Sequence, residues 1–356
     1  MKLEGLRECQ KDVFPTAKEG PKSLSPSKLH RQLNFLRNLS SWNNFIGKMN
    51  NVTMFIFRGL SQNPKVERVC FVVFSFFYIT ILLGNFLIIL TVRMGKLLKY
   101  PMYFFLNHLS IMDICFSSAV TPKMIANLLS KRKTISYVGC TLQLFGVHFF
   151  GSSEILLLLA MAYDRYVAIC KPLHYMTIMD QSRCNKIMLV VWVGGFVHTI
   201  IQLLSVLQLS FCGPNEIDHY FCDIHPLLKL ACTDTSIAGV VDTANSGTFS
   251  LGGFVILLIS YTVILLSLRK QSAEGRRKAL STCGSHIAVV IMFFGPCTFI
   301  YMRPNTTFAE DKMVAVFYTS VTPMLNPLIY TLRNTEVKNA MKKLWCREVL
   351  WKANYK

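Results

Sequence analysis

The chain has 356 residues, of which 52% are hydrophobic and only 16% charged, with a mean hydropathy of +0.39. That composition excludes an ordinary soluble domain and reads as a polytopic membrane protein. The formal charge of +19 would suit a nucleic-acid partner, but the charges gather in alternate loops between apolar segments, which excludes that class.

Residues 1–48 are polar, rich in Lys, Ser and Pro, and lack the continuous apolar core of a secretory signal. They read as a disordered extension, and the first membrane helix serves as the targeting signal. Sequons at Asn38 and Asn51 precede that helix, and Asn51 is the one that fits a glycosylated external N-terminus. A third sequon, at Asn305, lies in a short loop close to the membrane. Residues 49–68 read as a short extracellular segment, 69–332 as the membrane domain, and 333–356 as a cytosolic tail that begins with a short amphipathic helix.

Seven apolar segments follow, at about 69–92, 102–126, 137–169, 184–207, 238–268, 279–302 and 312–332. Each approaches the roughly 20 residues a helix needs to cross about 30 Å of hydrocarbon. No water is present there to bond the backbone, so helix is the conformation they take. The expected fold class is an all-α bundle of seven transmembrane helices. Arg93, Lys96 and Lys99 follow segment 1, and Lys171, Arg183 and Lys186 follow segment 3. Arg269, Lys270, Arg276, Arg277 and Lys278 follow segment 5, and a basic tail runs from Arg333. The positive-inside rule then places the N-terminus outside and the C-terminus in the cytosol. The outside loop "SKRKT", from Ser130, runs against this bias without reversing it.

Of the twelve cysteines, Cys140, Cys212, Cys222 and Cys232 fall outside, where an oxidising compartment suggests two disulfides among three connectivities. Cys346, beyond the last segment, reads as a plain cytosolic thiol in preference to a palmitoylation site.

Two carboxylates lie inside the apolar segments. Glu154 precedes Asp164 by about 15 Å of helix, and Asp113 follows Pro101 by about 18 Å, so both lie at one depth near the bilayer centre. Intramembrane carboxylates are functional by default. They share a proton, hold a cation such as Na⁺, or are neutralised by hydroxyl and amide partners, with Asn85 and Asn326 as candidates. At the cytosolic end of segment 3, water and headgroups lower the cost of Asp164 and Arg165. Arg165 can pair with Asp164 in one state and offer its donors to a cytosolic partner in another. The alternative is a plain interface anchor.

The chain resembles the rhodopsin-like G-protein-coupled receptors through "DRY" at 164–166 and "NPLIY" at 326–330. More narrowly it resembles vertebrate olfactory receptors, through "GN" at 84–85, "PMYFFLNHLSIMD" at 101–113 and "MAYDRYVAICKPLHY" at 161–175. "SY" at 260–261, "KALSTCGSH" at 278–286 and "PMLNPLIYTLRN" at 323–334 complete an ordered set that covers about residues 50–345. Members of that family begin near "MNNVT", which makes Met49 the usual start, and Phe294 stands where many carry tyrosine.

The resemblance implies that Cys140 pairs with Cys222 and Cys212 with Cys232, tying the external loop over the ligand entrance. It implies an activation switch of Arg165 with Tyr261 and Tyr330, with Asp164, Tyr166, His286, Asn326 and Pro327 in the same coupling machinery. Asp113 and Glu154 match the family's buried acidic pair, associated with sodium, and no other cofactor is implied. The odorant pocket would lie in the outer halves of segments 3, 5, 6 and 7. On segment 3, Val147 and Gly151 fall four apart, as do His148 and Ser152, so they line adjoining stripes of one face. Asn245, Phe249, Phe294, Cys297, Thr298 and Tyr301 match lining positions by family alignment. Pro296 gives segment 6 a kink site, because it lacks the amide donor.

The expected function is an odorant receptor of the plasma membrane. It would bind small volatile organic molecules, activate a stimulatory, olfactory-type G protein and raise cyclic AMP. No hydrolytic or redox constellation is present to suggest an enzyme. The rival readings are a receptor for a metabolite sensed outside the nose, an ion or proton transporter working through Asp113 and Glu154, and a nonfunctional receptor retained in the endoplasmic reticulum.

Overall fold

The computed structural model describes residues 52–268, 273–301, 309–333 and 337–342. The extension 1–48, the sequons at Asn38, Asn51 and Asn305, and Cys346 lie outside the described residues.

Each of the seven apolar segments falls on a helix, and the helix ends are set by caps. Helix α1 (Pro64–Met94) starts at Asn63, whose side chain accepts the Lys65 N–H at 2.9 Å, with proline next, where no amide is needed. Helix α2 (Pro101–Leu129) also opens on proline. Helix α3 (Tyr137–Cys170) is capped by Ser136, which accepts the Gly139 N–H at 3.0 Å. Helix α4 (Gln181–Leu207) is capped by Asp180, which accepts the Arg183 N–H at 2.9 Å. Helices α5 (Ser236–Leu268), α6 (Ala273–Tyr301) and α7 (residues 309–333) complete the set.

The helices overrun the apolar stretches because polar turns outside the hydrocarbon stay helical. Arg183, expected before segment 4, lies in the first turn of α4, and Arg276, Arg277 and Lys278, expected before segment 6, lie in α6. Helices α1 to α5 are each long and apolar enough to cross a membrane, and α6 contributes the apolar stretch Ile287–Ile300. Single π-helical turns interrupt α5 at Thr243–Gly247 and α7 at Phe317–Val321, rotating the side chains beyond them.

Helix α3 is the centre of the packing, against α2, α4 and α5, while α1 packs on α2 and α7, and α6 on α5 and α7. On α1 the side chains of Val69, Val72, Phe76, Ile79, Leu83 and Phe86 are exposed. Their spacing of three and four residues makes one apolar stripe, which faces lipid where a soluble helix would face a core. The opposite side carries buried Ile81, Asn85 and Ile88. Two glycines set the closest approaches. A Cβ at Gly84 would meet the Pro327 Cβ at 3.0 Å, and one at Gly195 would lie 2.1 Å from Ser153 Oγ. The first lets α1 touch α7, and the second lets α4 touch α3.

On the external side a small sheet forms that hydropathy does not reveal. Strand β1 (Met54–Phe57) pairs antiparallel with β2 (Thr134–Ser136) and parallel with β3 (Glu216–Ile217). Phe55 and Phe57 alternate inward, and Phe55 meets Phe211 edge-on at 5.4 Å. Lys133 of "SKRKT" is ion-paired with Glu67 of α1. On the cytosolic side residues 337–342 are helical, with Val337 buried.

Candidate functional site

A cavity of about 50 Å³ opens inside the bundle. Val147, His148, Gly151 and Ser152 of α3 line it, continued by Ile155 one turn on. Helix α5 contributes Ser246, Phe249 and Ser250, spaced three and four apart, and α6 contributes Phe293 and Cys297. Phe116 of α2, His198 of α4 and Tyr318 of α7 close the wall.

Six of the expected lining residues are therefore in place: Val147, His148, Gly151, Ser152, Phe249 and Cys297. Asn245 stands behind the wall, bonded to His198 through both its side-chain atoms. Thr298 shares a hydrogen bond of 3.0 Å with Ser250. Phe294 turns away toward α5, where it stacks near Phe254 and its ring abuts the Cβ position of Gly253. The helical phase accounts for this: Phe293 and Cys297 are four apart and share the inner face, and Phe294 is about 100° round from them. The side chain of Tyr301 lies outside the described residues. The Ser246, Phe249 and Ser250 spacing was readable in the sequence, whereas His198 and Phe116 carry no local signal.

The loop 208–235 roofs the cavity. Cys222 is joined to Cys140 at the top of α3, and Cys212 to Cys232 within the loop, with Cα–Cα separations of 5.5 and 6.0 Å. The Cys222 N–H donates to Gln143 Oε1 at 2.9 Å, and the Tyr220 hydroxyl bonds Thr319 of α7 at 3.0 Å. Lys312 Nζ of α7 donates to Asp218 at 2.6 Å. Partial burial alone would raise the Asp218 carboxyl, but the Lys312 hydrogen bond and charge, with Arg58, hold it below the usual carboxylate range. His219 beside it is pushed down to about 3 by burial and by the Lys312 charge.

Two further histidine–carboxylate pairs link roof to helices. His148 Nε2 lies 3.8 Å from Asp223, and His225 Nε2 lies 3.4 Å from Asp242. Among the described residues no group of three or more His, Cys, Asp or Glu is placed to hold a metal ion.

Below the cavity sits the acidic pair. Asp113 and Glu154 are both fully buried, and their carboxyl groups approach closely enough to hydrogen-bond if one is protonated. Asn326 Nδ2 donates to both Asp113 oxygens, at 3.0 and 3.1 Å. Asn85 instead donates to the backbone carbonyls of Ile81 and Pro323. Neither Glu154 oxygen meets a donor, nor does Asn326 Oδ1 meet one, among the described residues. Buried oxygens without donors suit a proton or a hard monovalent cation, and two carboxylates are too few for a divalent cage.

At the cytosolic end of α3, Asp164 is buried and accepts from the Arg165 guanidinium, with the Nε contact at 3.0 Å. Its other oxygen accepts the Tyr175 hydroxyl at 2.7 Å. Burial first, and then the Asp164 charge, raise the Tyr175 phenol above its ordinary value, which keeps it a donor. Sequence reasoning quoted Tyr175 within its motif but gave it no role. Tyr166 packs against the core and Tyr261 is buried, while the side chains of His286 and Tyr330 lie outside the described residues. Pro327 abuts Gly84.

The family model described as "Olfactory receptor" matches residues 74–348. Olfactory receptor 4S2 of Homo sapiens is 75% identical over 309 residues, which take in 87% of this chain and 99% of that relative. Olfactory receptor 4B1 of Homo sapiens is 61% identical over 84% of this chain and 96% of its own length. Olfactory receptor 4B13 of Mus musculus is 60% identical, over 83% and 97% respectively. With its seven helices, external disulfides and matched motifs, the chain belongs to the olfactory receptor family, and it is a multi-pass plasma-membrane receptor, not an enzyme.

Proposed function

We propose that the cavity receives a small volatile organic molecule and that occupation favours the conformation which opens the cytosolic face to a stimulatory, olfactory-type G protein, raising cyclic AMP. The observation that carries this reading is the cavity itself. It lies between helices and is mostly apolar, with a few polar groups among its lining, as small-molecule sites are.

In this reading the Asp164 latch belongs to the closed conformation. Arg165 is turned back onto Asp164, and Tyr175 braces the same carboxylate. A ligand acts by binding the open form better than the closed one. Moving the population from about 1:99 to 99:1 needs roughly 10⁴-fold tighter binding to the open form. Asp113, Glu154 and Asn326 lie between cavity and latch and would hold a sodium ion or a shared proton, which would neutralise the carboxylates.

The test is cyclic AMP output from cells bearing the full chain or the form starting at Met49, screened against a broad odorant panel with surface level recorded. A ligand-dependent rise supports the reading. A receptor that binds panel members yet leaves cyclic AMP flat overturns the coupling.

A further inference from the structure

We propose that the cavity carries a hydrogen-bond acceptor site built on His198, so that the molecules it takes are neutral and carry a hydroxyl or similar donor. Alcohols and phenols would bind in preference to ethers, esters and ketones. The inference rests on the reading of the cavity as the odorant site.

The assignment begins at a backbone atom. The carbonyl oxygen of His198 can only accept, so the Asn245 side-chain atom 3.3 Å from it is the amide nitrogen. That orientation turns Asn245 Oδ1, which also can only accept, toward His198 Nδ1 at 3.2 Å. Nδ1 therefore carries the proton. His198 is 6% exposed, and among the described residues no carboxylate is ion-paired with its ring. An imidazolium there would be an unpaired buried charge. The ring is the neutral tautomer protonated at Nδ1, and its Nε2 presents a lone pair with no partner among the described residues.

The neighbouring hydroxyls point the same way. Ser152 commits its proton to the His148 carbonyl at 2.6 Å, and Ser246 donates to the Asp242 carboxylate at 3.2 Å. Both line the cavity; Ser246 Oγ also accepts from Gln202 Nε2, and Ser152 Oγ offers the cavity its lone pairs. Among the described residues no Lys or Arg lines the cavity, so a carboxylate ligand would meet no counter-charge from them. A ligand whose polar group only accepts would set its lone pairs against that of Nε2, whereas a hydroxyl completes the bond.

The test uses purified full-length receptor in detergent and same-skeleton sets of an alcohol, its methyl ether and its ketone. Binding is read as the ligand-dependent rise in melting temperature, which needs no G protein and so stays separate from the coupling reading. Within a set the alcohol is expected to bind about tenfold tighter than the ether or ketone, the worth of one hydrogen bond. His198→Phe keeps an aromatic ring against Phe249, whose centroid is 4.7 Å away, and should weaken the alcohol about tenfold while leaving the ether unchanged. His198→Gln returns an acceptor oxygen and should keep the preference. Ethers or ketones that match alcohols on the unaltered receptor overturn the donor rule alone, a comparison that requires no variant to fold. A preference that survives His198→Phe overturns the assignment to His198. Absence of binding by a folded receptor overturns the cavity reading and the rule together.

Discussion

Asn326→Ala is the sharpest probe of the polar core. Asn326 supplies the donor that reaches both oxygens of Asp113, at 3.0 and 3.1 Å, inside a region where Asp113 and Glu154 are 0% exposed. A hydrogen bond to a charged group contributes about 1.5–3 kcal/mol. The loss expected for Asn326→Ala is therefore about 2 kcal/mol, or roughly 4 °C in melting temperature at about 2 °C per kcal/mol for a domain of this size. Thermal unfolding in detergent can be followed with a thiol-reactive dye, because Cys184 and Cys297 are buried until the helices separate. Asp113→Asn removes the charge that Asn326 serves. The double variant should be milder than the sum of the single ones by about 1.5 kcal/mol. A shift of less than about 1 °C for Asn326→Ala, or strict additivity in the double variant, refutes the assignment of Asn326 as the donor that stabilises Asp113.

Gly195→Ala places a Cβ 2.1 Å from Ser153 Oγ and 3.2 Å from its backbone nitrogen, so overpacking between α3 and α4 should cost about 1–3 kcal/mol in the same melt. Gly252→Ala, with nothing within 4 Å, is the control and should stabilise by about 0.4–1 kcal/mol. His219 titrates at about 3 in the folded loop, below the unfolded histidine value of about 6.5. The unfolded chain then binds more protons, so stability is full above about pH 6.5 and falls toward pH 3, by about 2 kcal/mol at pH 5. His219→Phe should flatten that part of the pH profile, and an unchanged slope would refute the contribution. Arg165→Ala should abolish cyclic AMP signalling at unchanged surface level. Tyr175→Phe, which removes one of the two side-chain partners of Asp164, should raise ligand-free output, as measured by basal cyclic AMP.

The bundle was legible because lipid imposes a rule that acts on composition alone: a segment near twenty apolar residues must be helical. Helix ends were less legible, since Asn63, Ser136 and Asp180 act through local capping that hydropathy does not register. The external sheet was illegible because its strands are two to four residues long and come from three stretches of the chain far apart in sequence. In the cavity the α3 stripe from Val147 to Ile155 follows from helical periodicity. His198 could not be found that way, since α4 carries many apolar faces and only the packing decides which one turns inward. Phe294 shows the reverse: its position on α6 matched the family pattern, yet the ring fills the space that Gly253 leaves on α5.

Helix α3 joins these parts into one device. Ile155 lines the cavity and is the next residue after Glu154, and Phe116 lines it one helical turn from Asp113 on α2. Asp164 and Arg165 follow Glu154 by about 15 Å along the same helix. A ligand pressing on Phe116 and Ile155 therefore bears on the backbone that carries both carboxylates. In the proposed reading those carboxylates form the bistable element, because burying both as anions is costly and each way of neutralising them favours its own spacing of α2 and α3. Variants at Asp113 and at Asp164 should for this reason each shift ligand potency and basal output together, because both bias the one closed–open equilibrium that the ligand reads. Independent movement of the two quantities at Asp113, measured by dose response and ligand-free cyclic AMP, would place the coupling elsewhere in the bundle.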